Sequence, residues 1–230
     1  MKERFRRRRL PHFDRPGAIF FVTTCLDGSI PALGLKDLAD YRNNLNQRQP
    51  PTGLSRSDWN VRKWKLEFAR SDDWLDRRAA VRHLENEDLA EIVENALLYF
   101  AGERYALWAW VVMPSHFHVV FEPCSRWVKG LGAMVYERTP RERIMHSVKR
   151  HSARECNRKR TETGTFWQDE SYDHCVDEVD ELERIINYVE LNPKKAGIAS
   201  DRADYRFSSA HYRVENEIPF GQPLIGETRL

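Results

Sequence analysis

The chain has 230 residues, 41% hydrophobic and 31% charged with a net charge of +2, so it can bury a core within one enlarged domain or two small ones. No apolar run reaches the ~20 residues of a membrane span, and the arginine-rich start lacks the following apolar segment of a signal peptide. Four cysteines without Cys-x-x-Cys spacing predict reduced thiols that bind no metal in a cytoplasmic protein: Cys25, Cys124, Cys156 and Cys175.

The periodicity of apolar residues predicts an alternation of strands and helices. In chain order we expect a strand at 17–25, a helix at 33–45, a loop at 47–58, a helix at 88–100, strands at 105–112 and 116–122 joined by a turn at 113–115, helices at 128–136 and 140–158, a short strand within 166–176, and a helix from 179. The order β-α-β-β-α-β-α predicts an α+β fold, a ferredoxin-like antiparallel sheet with helices on one face.

No domain boundary interrupts this pattern, which favours one domain over 1–230. We expect a basic arm at 1–16, a core at 17–198 and a tail at 199–230 that packs on the core. Three aromatic residues would attach the tail: Tyr205, Phe207 and Tyr212.

Two histidines flank a large apolar residue within the second hairpin strand. Alternation along a strand places His116 and His118 on one face and Phe117 on the other. Two neighbouring imidazoles form half of a divalent-metal site, but for an isolated motif the more frequent case is a pair of edge-strand histidines that bond water or a carbonyl.

A second candidate element follows about seventy residues later. Leu182, Ile186 and Val189 form an apolar stripe at helical spacing, and Tyr188 and Asn192 share a face beside it. Pro193 places this pair in the last turn of the helix. By themselves, the two residues are a possible polar site over the histidine strand, or a rim residue and a helix cap.

Together, these patterns resemble one family of proteins. His116-Phe117-His118 is similar to the HUH motif (His, bulky hydrophobe, His) of single-tyrosine transposases that act on single-stranded DNA, and residues 188–193 are similar to their catalytic-tyrosine helix. Segments 9–24, 164–173, 192–197 and 205–209 resemble REP-associated tyrosine transposases in the same order. Ser115 and His174 depart from the usual asparagine and arginine, which puts substrate contacts in doubt rather than the chemistry.

The resemblance implies a phosphoryl transfer that passes through a covalent intermediate. Tyr188 would attack the scissile phosphate and give a 5′-phosphotyrosine, while His116, His118 and the amide of Asn192 would hold Mg²⁺ or Mn²⁺. The expected substrate is single-stranded DNA at repetitive palindromic hairpins, bound by a nucleoid-associated monomer or homodimer.

The charge distribution suggests how DNA would be held. Residues 126–160 carry eleven Lys/Arg against three Asp/Glu, whereas residues 169–183 carry eight acids and no Lys or Arg. Basic segments are either solvated faces or phosphate-binding surfaces. The candidate DNA-binding residues are Arg6, Arg7, Arg8, Arg9, His12, Asp14, Lys149, Arg150, Arg154, Arg158, Trp167 and Tyr172. Trp59, Trp64 and Trp127 are further stacking candidates, whereas Trp108 and Trp110 are expected in the core.

Three alternatives remain at this point. One is a nickase of the relaxase or replication-initiator type with the same HUH motif. Another is a DNA-binding regulator that has the fold without the chemistry. The third is a zinc hydrolase that uses His116 and His118, for which the sequence shows no third ligand at the usual spacing.

Overall fold

A computed structural model describes residues 4–7, 11–15, 17–169, 171–176 and 178–226, with the backbone alone described for 4–7, 11–14 and 136. The strands are β1 (Arg4–Arg7), β2 (Pro11–Asp14), β3 (Ile19–Cys25), β4 (Tyr105–Val112), β5 (His116–Pro123) and β6 (Tyr172–Val176). The α-helices are α1 (Ala32–Gln47), α2 (Arg56–Arg78), α3 (Glu87–Leu98), α4 (Ser125–Gly130), α5 (Pro140–Arg160), α6 (Val179–Lys195) and α7 (Ser209–Glu215). None of these helices has the length and apolar character needed to cross a membrane.

Four strands form an antiparallel sheet in the order β4-β5-β3-β6. The two central strands, β3 and β5, pair with Thr23 opposite His118 and Cys25 opposite His116. This is the ferredoxin-like order, so the predicted α+β fold with an antiparallel sheet is confirmed. The histidines therefore lie on a central strand, where they are fully buried.

Helices cover both faces of the sheet, so the expectation of helices on one face is wrong. On one face, α3 and α5 pack against Phe117, Val119 and Phe121. On the other face, α6 packs against the side that includes Val111 and Val120. The strands are apolar on both sides, and a sheet that is apolar on both faces must be covered on both.

The longest helix, α2, is the largest element that the sequence did not predict; with α1, which lies where a helix was expected, it forms a helical hairpin between β3 and α3. The α2 helix is largely polar, so its apolar periodicity is weak. Ser55 begins this helix by accepting a hydrogen bond from the backbone N–H of Asp58. Gly34 brings α1 close to α2, because a Cβ there would lie 3.0 Å from the ring of Trp74.

Most other predicted elements are present with small shifts at their ends. The expected helix at 128–136 is instead the short α4 followed by a 3-10 turn over Gly132–Tyr136. Two glycines in this segment explain the break, since Gly132 has a φ of 52°. The strand expected within 166–176 is limited to β6.

Both ends of the described chain contact the sheet. The ribbon formed by β1 and β2 lies beside β6, through contacts of β2. At the other end, Phe207 is buried in the core and the Tyr205 hydroxyl donates to the backbone oxygen of Val112 at 2.8 Å. The Arg213 side chain donates to Glu190 of α6 at 2.7 Å, which attaches the C-terminal segment to α6.

Candidate metal and tyrosine centre

The imidazoles of His116 and His118 converge on one point. Their Nε2 atoms are 3.1 Å apart, and both side chains are fully buried on the α6 face of the sheet. The predicted pairing of both histidines on one strand face is confirmed, with Phe117 in the core on the opposite side. Two nitrogen atoms directed at the same volume suit a shared ligand.

Hydrogen bonds at the far side of each ring control which nitrogen carries the proton. The Ser115 hydroxyl donates to the backbone oxygen of Leu75 at 3.0 Å, so it must accept from Nδ1–H of His116, also at 3.0 Å. The Nε2 atom of His116 therefore presents a lone pair. Thr23 Oγ1 lies 2.7 Å from Nδ1 of His118 and can accept in the same way, which would leave both Nε2 atoms as ligands.

Helix α6 brings Tyr188 and Asn192 to the histidine pair. Asn192 is buried, and its Nδ2 atom lies 3.3 Å from Nε2 of His118. Rotation of the Asn192 side-chain amide by a half-turn would exchange its nitrogen and oxygen. It would then direct Oδ1, which has no hydrogen-bond partner, toward Nε2 of His118. The rings of Tyr188 and His118 have their centroids 5.6 Å apart. Both members of the predicted pair thus lie at the histidine site.

Two carboxylates of α2 complete the cluster, and the sequence analysis did not identify either of them. Oδ1 of Asp72 lies 3.3 Å from Nε2 of His118 and 3.9 Å from Nε2 of His116. The other oxygen of Asp72 accepts a hydrogen bond from the Tyr188 hydroxyl. One turn later, Oδ1 of Asp76 lies 3.7 Å from Nε2 of His116. The i,i+4 spacing of the two acids was the available signal, but it is common on solvated helices.

The protonation of these groups reflects their burial. Burial, together with His118, lowers the pKa of His116 to about 3, so this ring is neutral. Burial would raise the pKa of Asp72, but His118 and the Tyr188 hydroxyl hold it below its ordinary value. Burial and the charge of Asp72 raise the pKa of Asp76 to about 8. The same two causes raise the pKa of Tyr188 well above its ordinary range.

The donor set fits a divalent cation. Asp72, His116 and His118 each offer one ligand atom, and these atoms lie within 4.8 Å of one another. Two ligands that bind one ion at ~2.1 Å, with an angle of ~90–110° between them, are about 3.0–3.4 Å apart. Oδ1 atoms of Asp72, Asp76 and Asn192 are buried without a hydrogen bond. A cation would satisfy these oxygens, which explains why they collect around two imidazoles.

Tyr172 belongs to an aromatic column that leads to this centre. Its ring stacks on Trp64 and on Phe68, each with a centroid distance of 4.1 Å. Two rings cannot approach one face that closely without overlap, so they cover opposite faces of Tyr172. Phe68 in turn lies 6.0 Å from the ring of Tyr188. Tyr172 therefore cannot stack on a DNA base in this arrangement, although its hydroxyl remains without a hydrogen-bond partner.

Trp167 is removed from the candidate DNA contacts. It is 4% exposed, donates through Nε1 to the Ser152 hydroxyl at 2.9 Å, and packs edge-on against Phe117. Trp59 is also buried, whereas Trp64 and Trp127 are half-buried. Trp108 and Trp110 lie in the core, as expected.

The basic residues of α5 divide into two groups. The Lys149 ammonium donates to the backbone oxygens of Gln168 and Asp169 at 2.6 and 2.9 Å, so two of its three donors hold a loop, and its contact with a phosphate stays a prediction. Arg150, Arg154 and Arg158 are exposed and follow one another at i,i+4 spacing. Because α5 packs on the face opposite the histidines, DNA in contact with both must pass around an edge of the sheet.

The N-terminal candidates are only partly described. Arg8 and Arg9 lie outside the described residues. The backbone of Arg6 pairs with that of His12 in the β1–β2 ribbon, whose strands also contain Arg7 and Asp14. Their predicted contacts with DNA stay predictions.

Comparisons with known proteins agree with the motif resemblance. No family model matches the chain. Over 125 residues the chain is 23% identical to the REP-associated tyrosine transposase of Escherichia coli (strain K12). The matched segment makes up 54% of this chain and 66%, just under two thirds, of that relative. A solved structure of a REP-associated tyrosine transposase bound to a REP hairpin is similar with a TM-score of 0.46 and 14% identity, over 92% of this chain and 88% of the other. The resemblance to REP-associated tyrosine transposases that the motifs indicated is thus confirmed by a similarity of sequence to a curated protein of that name.

Proposed function

We propose that this protein is a metal-dependent transposase that cleaves and rejoins single-stranded DNA beside palindromic hairpins, with Tyr188 as the nucleophile. The observation that carries the proposal is the meeting of a tyrosine hydroxyl, two imidazole nitrogens and a carboxylate in one buried cluster. Purely structural packing would not collect so many polar atoms that lack hydrogen-bond partners.

The reaction exchanges one phosphodiester for another. Tyr188 Oη would bond to phosphorus while the bond from phosphorus to the 3′ oxygen breaks, and that oxygen would leave as a 3′-hydroxyl, so that the proton lost by Tyr188 is balanced by the one that the 3′ oxygen gains. The product is a 5′-phosphotyrosine on the downstream strand. Attack by a second 3′-hydroxyl reverses the step and rejoins DNA, so no external energy source is needed.

His116, His118 and Asp72, with Asn192 or Asp76, would hold the cation. A bound divalent ion supplies charge neutralisation at a non-bridging phosphate oxygen. Mixed imidazole and oxygen ligands suit Mn²⁺, and an oxygen-rich substrate suits Mg²⁺. Asp72 connects the two parts of the site, because one of its oxygens faces the imidazoles and the other accepts the Tyr188 hydroxyl.

Hairpin DNA is the proposed partner, and the relative in the solved structure is described as bound to a REP hairpin. The exposed arginines of α5 are candidates for backbone contacts, and so is the β1–β2 ribbon beside β6. Phosphate contacts of this kind position the strand without reading its sequence.

The test is transfer of a DNA label to the protein. A hairpin oligonucleotide with single-stranded flanks, labelled at its 3′ end, is incubated with Mn²⁺ and the wild-type protein. We expect a labelled protein band that resists denaturation, and no such band with Tyr188→Phe at unchanged DNA affinity. Label transfer by the Phe variant at the wild-type rate would place the nucleophile elsewhere. Tight DNA binding with no adduct in either protein would favour the regulator.

One observation favours the zinc hydrolase more than the sequence did. Asp72 supplies the third ligand that was missing, so His116, His118 and Asp72 form a two-histidine, one-carboxylate set. A hydrolase would release both DNA fragments without attachment to the protein, so the same labelling experiment separates the two functions.

A further inference from the structure

A groove of about 470 Å³ opens beside the tyrosine centre, between the α1–α2 hairpin and the sheet. Two of its lining residues also contact the centre: Thr23 bonds His118, and Asp72 bonds Tyr188. Across the sheet, Thr23 pairs with Tyr172 on one side and with His118 on the other. This row of side chains makes the groove continuous with the site of the proposed cleavage.

The walls of the groove suit a flat, uncharged group. Apolar side chains of α1 and α2 form much of the lining, including Leu35, Leu38 and Leu75. Leu35 is 51% exposed, which leaves apolar surface open to a ligand. A volume of this size lies within the range of small-ligand sites.

The charged lining disfavours a phosphate. Three acids, Glu67, Asp72 and Asp169, line the groove together with one arginine. That arginine, Arg42, donates to Glu67 at 2.7 Å, so its charge is already paired. Carboxylates repel phosphate but accept hydrogen bonds from the exocyclic amino groups of bases.

One lining group also requires a partner. The Tyr172 hydroxyl is buried with no hydrogen bond, although its ring is fixed between Trp64 and Phe68. An unpaired buried hydroxyl is unfavourable, and a ligand with a polar edge would remove the penalty. The hydroxyl can donate or accept, so it can bond any base edge.

We propose that this groove binds the unpaired base next to the cleaved phosphodiester, and that it favours bases with an exocyclic amino group over thymine. The inference rests on the proposed DNA cleavage, because it is the tyrosine centre that fixes which nucleotide lies beside the groove. Tyr172, Leu38 and Glu67 are then specificity residues rather than catalytic ones.

The proposal is tested by equilibrium binding in excess chelator, where cleavage is blocked. Full-length protein is titrated with hairpin oligonucleotides in which one flank position at a time is abasic. We expect one position at which base removal weakens binding about 5- to 100-fold. At that position, thymine should bind more weakly than cytosine or adenine.

Variants locate the effect in the groove. Leu38→Trp should fill the groove and abolish the dependence on the base, while affinity for the abasic oligonucleotide stays unchanged. Leu33→Trp is the matched control, because Leu33 is 71% exposed on the same helix and does not line the groove. Tyr172→Phe keeps the ring stack and should reduce discrimination among the bases. If Leu38→Trp fails to fold by circular dichroism, Ala39→Trp fills the groove from an exposed position.

An equal abasic penalty in wild type and in the filled variants, or no penalty at any position, would overturn the groove proposal. Adduct formation with Mn²⁺ is measured separately on the same oligonucleotides. Base dependence that Leu38→Trp removes, with no adduct, would reject the proposed cleavage and retain the groove. An adduct without base dependence would reject the groove proposal and retain the proposed cleavage.

Discussion

The carboxylate of Asp72 accepts the hydrogen bond of the Tyr188 hydroxyl, although 116 positions separate the two residues in the chain. This contact joins the α1–α2 hairpin to the helix that carries the proposed nucleophile. Together with burial, the negative charge of Asp72 raises the pKa of Tyr188, so the phenol keeps its proton in the folded protein. The hairpin is therefore part of the candidate active centre.

Replacement of Asp72 by asparagine tests that role. Asp72→Asn keeps the shape and a hydrogen-bond acceptor for Tyr188 but removes the charge that faces the imidazoles. We expect adduct formation to slow by at least about 100-fold, as for loss of one electrostatic stabiliser, and Mn²⁺ affinity to fall. Single-turnover label transfer and metal titration measure both effects. The control is Asp73→Asn, whose carboxylate pairs with Arg77 instead; comparable losses in the two variants would contradict the assignment.

The proposed ligands should differ in importance. His116→Ala and His118→Ala should each reduce cleavage by at least two orders of magnitude, since one stabiliser is worth ~3–4 kcal/mol. Asn192→Ala should cost less, because an amide is a weak ligand and water can replace it. Rates at saturating Mn²⁺ measure the order. Cleavage at full rate in excess chelator would reject the metal model altogether.

Asp76 should make the metal-free protein sensitive to pH. Its pKa of about 8 in the folded state exceeds the unfolded value of 3.8, so the folded state binds the extra proton. Stability is therefore lost as pH rises from about 4 toward 8. Asp76→Asn should remove this loss, so that between pH 4 and pH 7.5 the variant gains on the order of 4 kcal/mol of stability relative to the wild type. The urea unfolding midpoints of the wild type and of Asp76→Asn, measured in chelator across this pH range, test the prediction. A difference between the two midpoints that stays the same at every pH would contradict it.

Sequence patterns predicted the parts of this molecule that are strongly periodic. The strand that holds His116 and His118 and the helix that holds Tyr188 have apolar stripes that few other arrangements would produce. The α2 helix has no comparable stripe, so Asp72 and Asp76 resembled ordinary surface acids. Trp167 was misjudged for a different reason, since its indole N–H has a buried partner that only tertiary structure reveals.

The arginines of α5 should determine part of the salt dependence of DNA binding. Each phosphate contact contributes about −0.7 to the slope of log K against log salt for single strands. Replacing Arg150, Arg154 and Arg158 by glutamine should therefore flatten the slope by about 2, and deletion of residues 1–9 should flatten it further. Arg206→Gln is the control, since Arg206 is exposed beside Glu91. Equal slopes for all proteins would mean that these arginines are only solvated.

The buried pair of Glu190 and Arg213 should control the stability of α6. Arg213 is 6% exposed and donates to Glu190 and to the backbone oxygen of Trp108, each at 2.7 Å, so it connects the C-terminal segment to both α6 and the sheet. Arg213→Met would leave the Glu190 carboxylate buried with most of its charge uncompensated.

We expect this change to lower the free energy of unfolding by about 3–5 kcal/mol. Glu190→Gln combined with Arg213→Met should cost less than the sum of the two single changes, because the second substitution removes the charge that the first one leaves unpaired. Urea unfolding of the four proteins gives the coupling energy. Arg206→Met, at a half-exposed position, serves as the control for loss of an arginine. Additive losses, or a loss below about 1 kcal/mol for Arg213→Met, would show that α6 is held by its apolar stripe alone.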